Sequence, residues 1–255
     1  MATPVIEVRG LRTQFGLKVV HEDLDFSVRR GEIVALVGGS GSGKTTLLRE
    51  ITMLDAPSAG SVRLFGEETV GIGEAAAFAL RRRFGMMFQL GALFSSLTVR
   101  ENVAVPLREH TRLPAALIDD IAELKIALAG LPPDAAERYP AQLSGGMIKR
   151  AAVARAIALD PDLLFLDEPT AGLDPVGAAA LDELVLQLRD TLGLTVVIVT
   201  HDLDTLWRVT DRVAFLGERR VLACEPMPVL TRSEHPLIRA YFTGPRARAA
   251  AAAQA

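Results

Sequence analysis

Gly38-Gly39-Ser40-Gly41-Ser42-Gly43-Lys44-Thr45 is the stretch that decides the fold. It fits G-x-x-x-x-G-K-[ST], a pattern that carries weight only between a strand and a helix. Both flanks qualify. Ile33-Val34-Ala35-Leu36-Val37 before it is an unbroken apolar run of the kind that fills a central parallel strand. Thr46-Leu47-Leu48-Arg49-Glu50-Ile51 after it reads as helix. Glycines let consecutive backbone N–H groups turn inward around a phosphate, and the helix start adds the positive end of its dipole. Lys44 is placed to reach the β- and γ-phosphates and the Thr45 hydroxyl to ligate Mg²⁺, with Thr46 completing the cofactor-binding set. These residues specify a nucleoside triphosphate and nothing narrower.

Working outward, Leu24, Phe26 and Val28 alternate with Asp25 and Ser27, the period of a half-buried strand, and Gly31-Glu32 turns the chain into the apolar run. Two further apolar runs lie at Leu163–Leu166 and Thr195–Val199, with Leu181, Leu184, Val185, Leu188 and Leu192 at helical spacing between them. Strand, helix, strand with apolar strands predicts an α/β domain built on a mainly parallel sheet. From about Thr98 to Ala158 the sequence is rich in Ala, Leu and Glu and is broken by Pro106, Pro114 and Pro132-Pro133, which predicts an inserted helical lobe. The expected division is a discontinuous nucleotide-binding core of residues 1–90 and 159–245, a helical lobe of 91–158, and a disordered Ala-rich tail of 246–255. No internal repeat is found.

Composition narrows the class. Of 255 residues, 49% are hydrophobic, which suits a well-buried core. A net charge of -3 gives no strongly basic field, so nucleic acid is not expected as a partner. Cys224 is the single cysteine, which excludes an intrachain disulfide, and it is expected to be a small buried hydrophobe. Met1-Ala2-Thr3-Pro4 lacks the pattern of a signal peptide. Val196–Val199 and similar runs fall far short of the roughly 20 residues a membrane span needs. A cytosolic chain is expected, with any membrane role reached through a partner.

Leu163-Leu164-Phe165-Leu166-Asp167-Glu168 sets two acids at the carboxyl end of a strand, the edge where open α/β sheets bind ligands. Asp167 suits Mg²⁺ held through its water shell, and Glu168 suits polarising an attacking water. Acids often do no more than solvate a strand end. Beside the phosphate loop the functional reading is the better one.

Leu143-Ser144-Gly145-Gly146-Met147, upstream of that strand, resembles the signature L-S-G-G-Q of the ATP-binding-cassette family. The resemblance runs from about Val5 to Tyr241 and implies a P-loop ATPase with an antiparallel β subdomain and a helical signature lobe. It implies that Ser144, Gly145 and Gly146 cap the γ-phosphate of ATP held by the opposite subunit of a homodimer. Gln89 matches a ligand near Mg²⁺ and the lytic water. Asp174, in Ala171-Gly172-Leu173-Asp174, matches the loop that meets its symmetry mate, His201 the switch histidine at the γ-phosphate, and Phe15 the aromatic that stacks on adenine. Met147 departs from the usual Gln and takes no catalytic role. Trp207 is expected to pack within a helix.

Gln89-Leu90-Gly91-Ala92-Leu93-Phe94, Asn102 to Thr111 and the Met of the signature look like the ATPase subunits of Mla-type phospholipid transporters, kin of the Mce and toluene-tolerance systems. That implies an integral permease docked at Leu90–Phe94, an MCE-domain lipid-binding protein, a STAS-domain regulator in some members, and a peripheral position on the cytoplasmic side of an inner membrane. The same residues would also suit a solute importer of amino acids or metal chelates. A soluble cassette of DNA repair or translation generally has two cassettes or a long coiled coil, neither of which is present. A scaffold without turnover is disfavoured by Glu168 and His201.

Overall fold

The computed structural model describes residues 4–242; the expected disordered tail lies outside them. The chain divides into two compact units, residues 1–80 with 197–255 and residues 81–196. It opens with β1 (Ile6–Phe15), β2 (Lys18–Val28), β3 (Ile33–Gly38), α1 (Lys44–Ile51), β4 (Ala59–Leu64), β5 (Glu67–Glu68) and α2 (Glu74–Arg81). The second unit runs through β6 (Phe84–Met87), α3 (Val99–His110), α4 (Ala115–Leu128), α5 (Gly145–Ala156), β7 (Leu163–Asp167) and α6 (Pro175–Leu192). Strand β8 (Thr195–Val199) returns the chain to the first unit, which ends with α7 (Leu203–Val209), β9 (Arg212–Gly217), β10 (Arg220–Glu225), α8 (Met227–Leu230) and α9 (Pro236–Phe242).

In the first unit β2, β1, β4 and β5 form an antiparallel sheet in that order. Strand β3 pairs in parallel with β9, and β9 antiparallel with β10. All six residues of β3 are buried, as its unbroken apolar run predicts. Its Ile33, Val34, Leu36 and Val37 side chains each contribute about 1.5–3 kcal/mol relative to exposure. Leu24, Phe26 and Val28 of β2 are buried and Asp25 and Ser27 exposed, so the alternation holds there. One apolar cluster gathers Val37, Leu206, Phe215, Leu230 and Phe242, with Trp207 packed against its edge as expected.

In the second unit β6 pairs in parallel with β7. Gly85 of β6 lies so close to α5 that an added Cβ would stand 1.9 Å from the Ala156 carbonyl oxygen, so only glycine fits that crossing. The stretch expected to be helical holds α3, α4 and α5, with short 3₁₀ turns at Pro133–Glu137 and Pro140–Gln142 between α4 and α5. Pro106 sits inside α3, not at a break. Thr98 begins α3 with a reciprocal cap: the Glu101 N–H donates to its hydroxyl and its own N–H donates to the Glu101 carboxylate. Two other expectations are corrected. Helix α1 begins at Lys44, two residues earlier than read, because Gly43 takes the left-handed cap conformation. Cys224 is half-buried on β10, its thiol pKa pushed up chiefly by burial.

Candidate active site

The first unit carries the phosphate loop. Strand β3 delivers Gly38, whose φ of 152° and close approach to the Leu216 carbonyl admit no side chain. Gly39, Ser40, Gly41 and Thr45 are exposed, while Ser42, Gly43, Lys44 and Thr46 are half-buried. The Lys44 ammonium folds over the loop and donates to the carbonyls of Gly38 (2.8 Å) and Gly39 (3.1 Å). Residues Gly39–Ser42 border a cavity of about 820 Å³ whose other walls include Lys18, Val20, Arg219 and Tyr241. That volume is in the range of small-molecule sites. Phe15 is 55% exposed at the end of β1, and His201 is exposed just after β8.

A buried polar group lies beneath this loop, and sequence reading missed it. The Thr13 hydroxyl donates to Glu50 Oε1 (2.7 Å) and pairs with His21 Nδ1 (2.9 Å). A hydroxyl has one proton to give, so His21 Nδ1 is the donor to Thr13 and Nε2 is left facing the loop. An added Cβ on Gly43 would stand 2.3 Å from that Nε2, and Gly43 has φ of 97°, so glycine is obligatory there on two counts. His21 escaped the sequence reading because β2 carries one more residue than β1 between the pairs Leu11↔Leu24 and Thr13↔His21. That irregularity, where Asp23 has φ of 49°, turns His21 inward where strict alternation predicts Glu22.

The second unit carries the acids and the signature. Asp167 ends β7 and Glu168 follows it, both half-buried, with Glu168 in the left-handed region at φ 47°. Gln89 is exposed just after β6. Lys149, on the buried face of α5 with Ala152 and Ala156, donates to the carbonyls of both Gln89 (2.5 Å) and Glu168 (3.0 Å). Burial holds its ammonium pKa below the usual lysine range, against the opposing pull of the Glu168 and Asp167 charges. Arg155, a little under two turns on, donates to the carbonyls of Ala92 (2.7 Å) and Gly91 (2.8 Å), two residues with positive φ. Asn102 of α3 accepts from the Phe94 N–H (2.7 Å) and donates to the carbonyls of Phe94, Leu97 and Thr98. Three side chains therefore hold the backbone from Gln89 to Thr98. A lysine set into the alanine-rich face of α5 was the available sequence signal.

Ser144 caps α5, its hydroxyl accepting from the Met147 N–H (3.3 Å). Gly145 starts the helix, and a Cβ there or on Gly146 would meet only the Leu173 side chain, at 3.9 and 4.0 Å. Neither has a positive φ. Asp174 caps the 18-residue α6, its carboxylate accepting from the Gly177 N–H (2.6 Å), with Pro175 at the first helical position. Leu90 and Phe94 are 87% and 52% exposed, and Leu93 is half-buried. No described helix is long and apolar enough to cross a membrane.

A family model described as ABC transporter matches residues 21–171. The chain is 38% identical to the Escherichia coli K12 protein named intermembrane phospholipid transport system ATP-binding protein MlaF, over 94% of this chain and 89% of that protein. It is also 38% identical to the Mycobacterium tuberculosis H37Rv protein named probable ribonucleotide transport ATP-binding protein mkl, over 94% of this chain and 67% of that protein. The solved dimer of the ATP-binding cassette MJ0796, in a post-hydrolysis state with ADP and Pi, matches with a TM-score of 0.79 at 31% identity, covering 87% of this chain and 98% of that one. A strand-delivered phosphate loop, paired acids at a strand end, a serine-capped signature helix and these likenesses lead to one conclusion: the chain belongs to the ABC transporter family, as an ATP-binding subunit that hydrolyses ATP.

Proposed function

We propose that two copies of this chain face each other, each phosphate loop holding ATP that the Ser144-Gly145-Gly146 helix start of the other copy completes. The observation that carries this is the pair of glycines. Glycine is a poorer helix former than alanine, yet neither Gly145 nor Gly146 has a positive φ or a neighbour too close for a methyl group. Their lack of side chains serves something outside the chain, and a helix start with two bare N–H groups suits an anion. The MJ0796 cassette, solved as a dimer bound to ADP and Pi, supports the pairing of two copies.

Within that site Lys44 neutralises the β- and γ-phosphates, Glu168 polarises the attacking water, and His201 contacts the γ-phosphate. Phe15 stacks on adenine, and Asp174 lies near its symmetry mate while capping α6. By their chemistry Thr45 offers a hydroxyl, Gln89 an amide oxygen and Asp167 a carboxylate, each the kind of hard oxygen that Mg²⁺ takes. Among the described residues no group of three or more His, Cys, Asp or Glu forms a cage. That also suits Mg²⁺, which takes few protein ligands beside phosphates and water. The ion would supply charge neutralisation at the phosphates.

The transported substrate we propose is phospholipid, from the likeness to MlaF. The chain would sit peripherally on the cytoplasmic face of an inner membrane, with a permease against Leu90–Phe94 and an MCE-domain protein, and in some systems a STAS-domain regulator, in the same complex. The mkl likeness keeps a solute-transport reading in play. One set of experiments tests both levels. Gly145→Ala is expected to raise the melting temperature of the isolated chain slightly while abolishing most ATP turnover; unchanged turnover would remove the argument from the glycines. Leu93→Asp and Phe94→Asp are expected to keep fold and ATP binding but lose the permease, since burying a carboxylate costs on the order of several kcal/mol. Co-purification of the wild type with a solute permease, and no phospholipid transfer in reconstituted membranes, would overturn the lipid assignment.

A further inference from the structure

Glu168 combines two features that need an explanation within the chain. It is a non-glycine residue at φ 47°, a conformation that is costly for any residue with a Cβ and persists where surrounding structure enforces it. It also stands at the end of β7 with its carbonyl engaged twice, by the Ala171 N–H (3.3 Å) and by the Lys149 ammonium (3.0 Å). The ammonium spends a second proton on the carbonyl of Gln89 (2.5 Å). Lys149 is 6% exposed, and a lysine is rarely taken so far from water without partners. The partners it takes are main-chain carbonyls at the ends of two adjacent parallel strands, β6 and β7.

The helix that carries Lys149 is the one that Ser144 caps, and the lysine lies little more than a turn beyond that cap. A shift of α5 therefore moves the serine–glycine start and the ammonium together. A charged donor is well suited to this task, because its hydrogen bonds are about twice as strong as neutral ones and its charge offsets the two adjoining acids.

We propose that Lys149 is a positioning residue for hydrolysis: it fixes the backbone of Glu168 in the left-handed conformation that aims its carboxylate, ties it to the backbone of Gln89, and links both to the signature helix. This rests on Glu168 being the acid that polarises water. Lys149 touches neither ATP nor water in this account, so its loss acts on the rate of the chemical step and spares affinity.

The test uses the purified full chain, with ATP affinity measured in the absence of turnover and kcat measured separately. Lys149→Met keeps the length of the stem and removes the donor. It is expected to leave ATP Kd within about threefold and to lower kcat tenfold or more, and Lys149→Arg, which restores a charged donor, is expected to recover most of that loss. A role limited to stability would lower the melting temperature without this division between kcat and Kd. Should the Met variant not fold, Lys149→Gln, with a shorter neutral donor, is read by the same two measurements. Full kcat in the neutral variant, or a loss of kcat matched by an equal loss of affinity, overturns the proposal. Glu168→Gln is measured alongside. If it is inactive while Lys149→Met is not, only the role of Lys149 falls; if Glu168→Gln itself turns over normally, the catalytic reading of Glu168 falls and takes the proposal with it.

Discussion

The phosphate loop and the segment after Gln89 are both irregular backbone beside a strand end, and they are held in opposite ways. The first is shaped from within. Gly38, Gly41 and Gly43 adopt positive φ, and its own Lys44 bonds to its own carbonyls. The second is strapped from outside, by Lys149 and Arg155 of α5 and Asn102 of α3. A loop shaped by its own residues keeps its form whatever its neighbours do. A loop held by helices moves when they move. The difference suits one loop that grips a nucleotide and another that transmits its state.

The largest expected effect lies where the strapped region meets chemistry. Glu168→Gln keeps the shape of the side chain and removes the charge that we propose polarises water. Turnover is expected to fall by about 10²–10⁴, the usual worth of a positioned base, with ATP binding retained. Near-normal turnover in a steady-state ATPase assay would make this acid structural and leave the straps with nothing to aim.

Next comes the strapping itself. Asn102→Ala removes the buried amide that pairs with the Phe94 N–H and the Leu97 carbonyl, while the Phe94 and Thr98 carbonyls keep main-chain donors. Unfolding stability is expected to drop by about 2–3 kcal/mol, since buried groups are left without partners. Hydrogen exchange is expected to rise at Phe94, with Gly39–Thr45 unaffected. Equal exchange in both loops would break the comparison.

The smallest effect is beneath the phosphate loop. Thr13→Val leaves His21 Nδ1 and Glu50 Oε1 without the hydroxyl between them. A loss of about 1–2 kcal/mol is expected in chemical denaturation, with ATP affinity changed little because the loop's glycines set its form. A large fall in affinity would show that the first loop, too, depends on outside support.

The same contrast governs what the sequence discloses. Gly38–Thr45, the apolar strands and Ser144 as a cap are local patterns, legible because neighbouring residues do the work. The paired acids are likewise local, and β3 and β7 are buried as their apolar runs require. Lys149 and Arg155 act on residues 19 to 64 positions away, where no spacing rule connects them, and Asn102 reaches eight residues back to Phe94. His21 was hidden by an irregular register that reverses the inward face of β2. Pro106, read as a break, lies within α3, since the capping box and the buried face of Val99, Val103 and Leu107 outweigh one lost hydrogen bond.

The central claim is that each ATP is completed by the signature helix of a second copy, and mixing two defective copies tests it most directly. Lys44→Ala spoils the phosphate loop and Ser144→Arg the helix start, so each variant alone has two half-spoiled sites. A mixed dimer has one intact site and one doubly spoiled. ATP turnover in an equimolar mixture, after subunit exchange, is expected to rise clearly above the mean of the two variants measured separately. Turnover equal to that mean, with mixed dimers shown to have formed, would contradict the account.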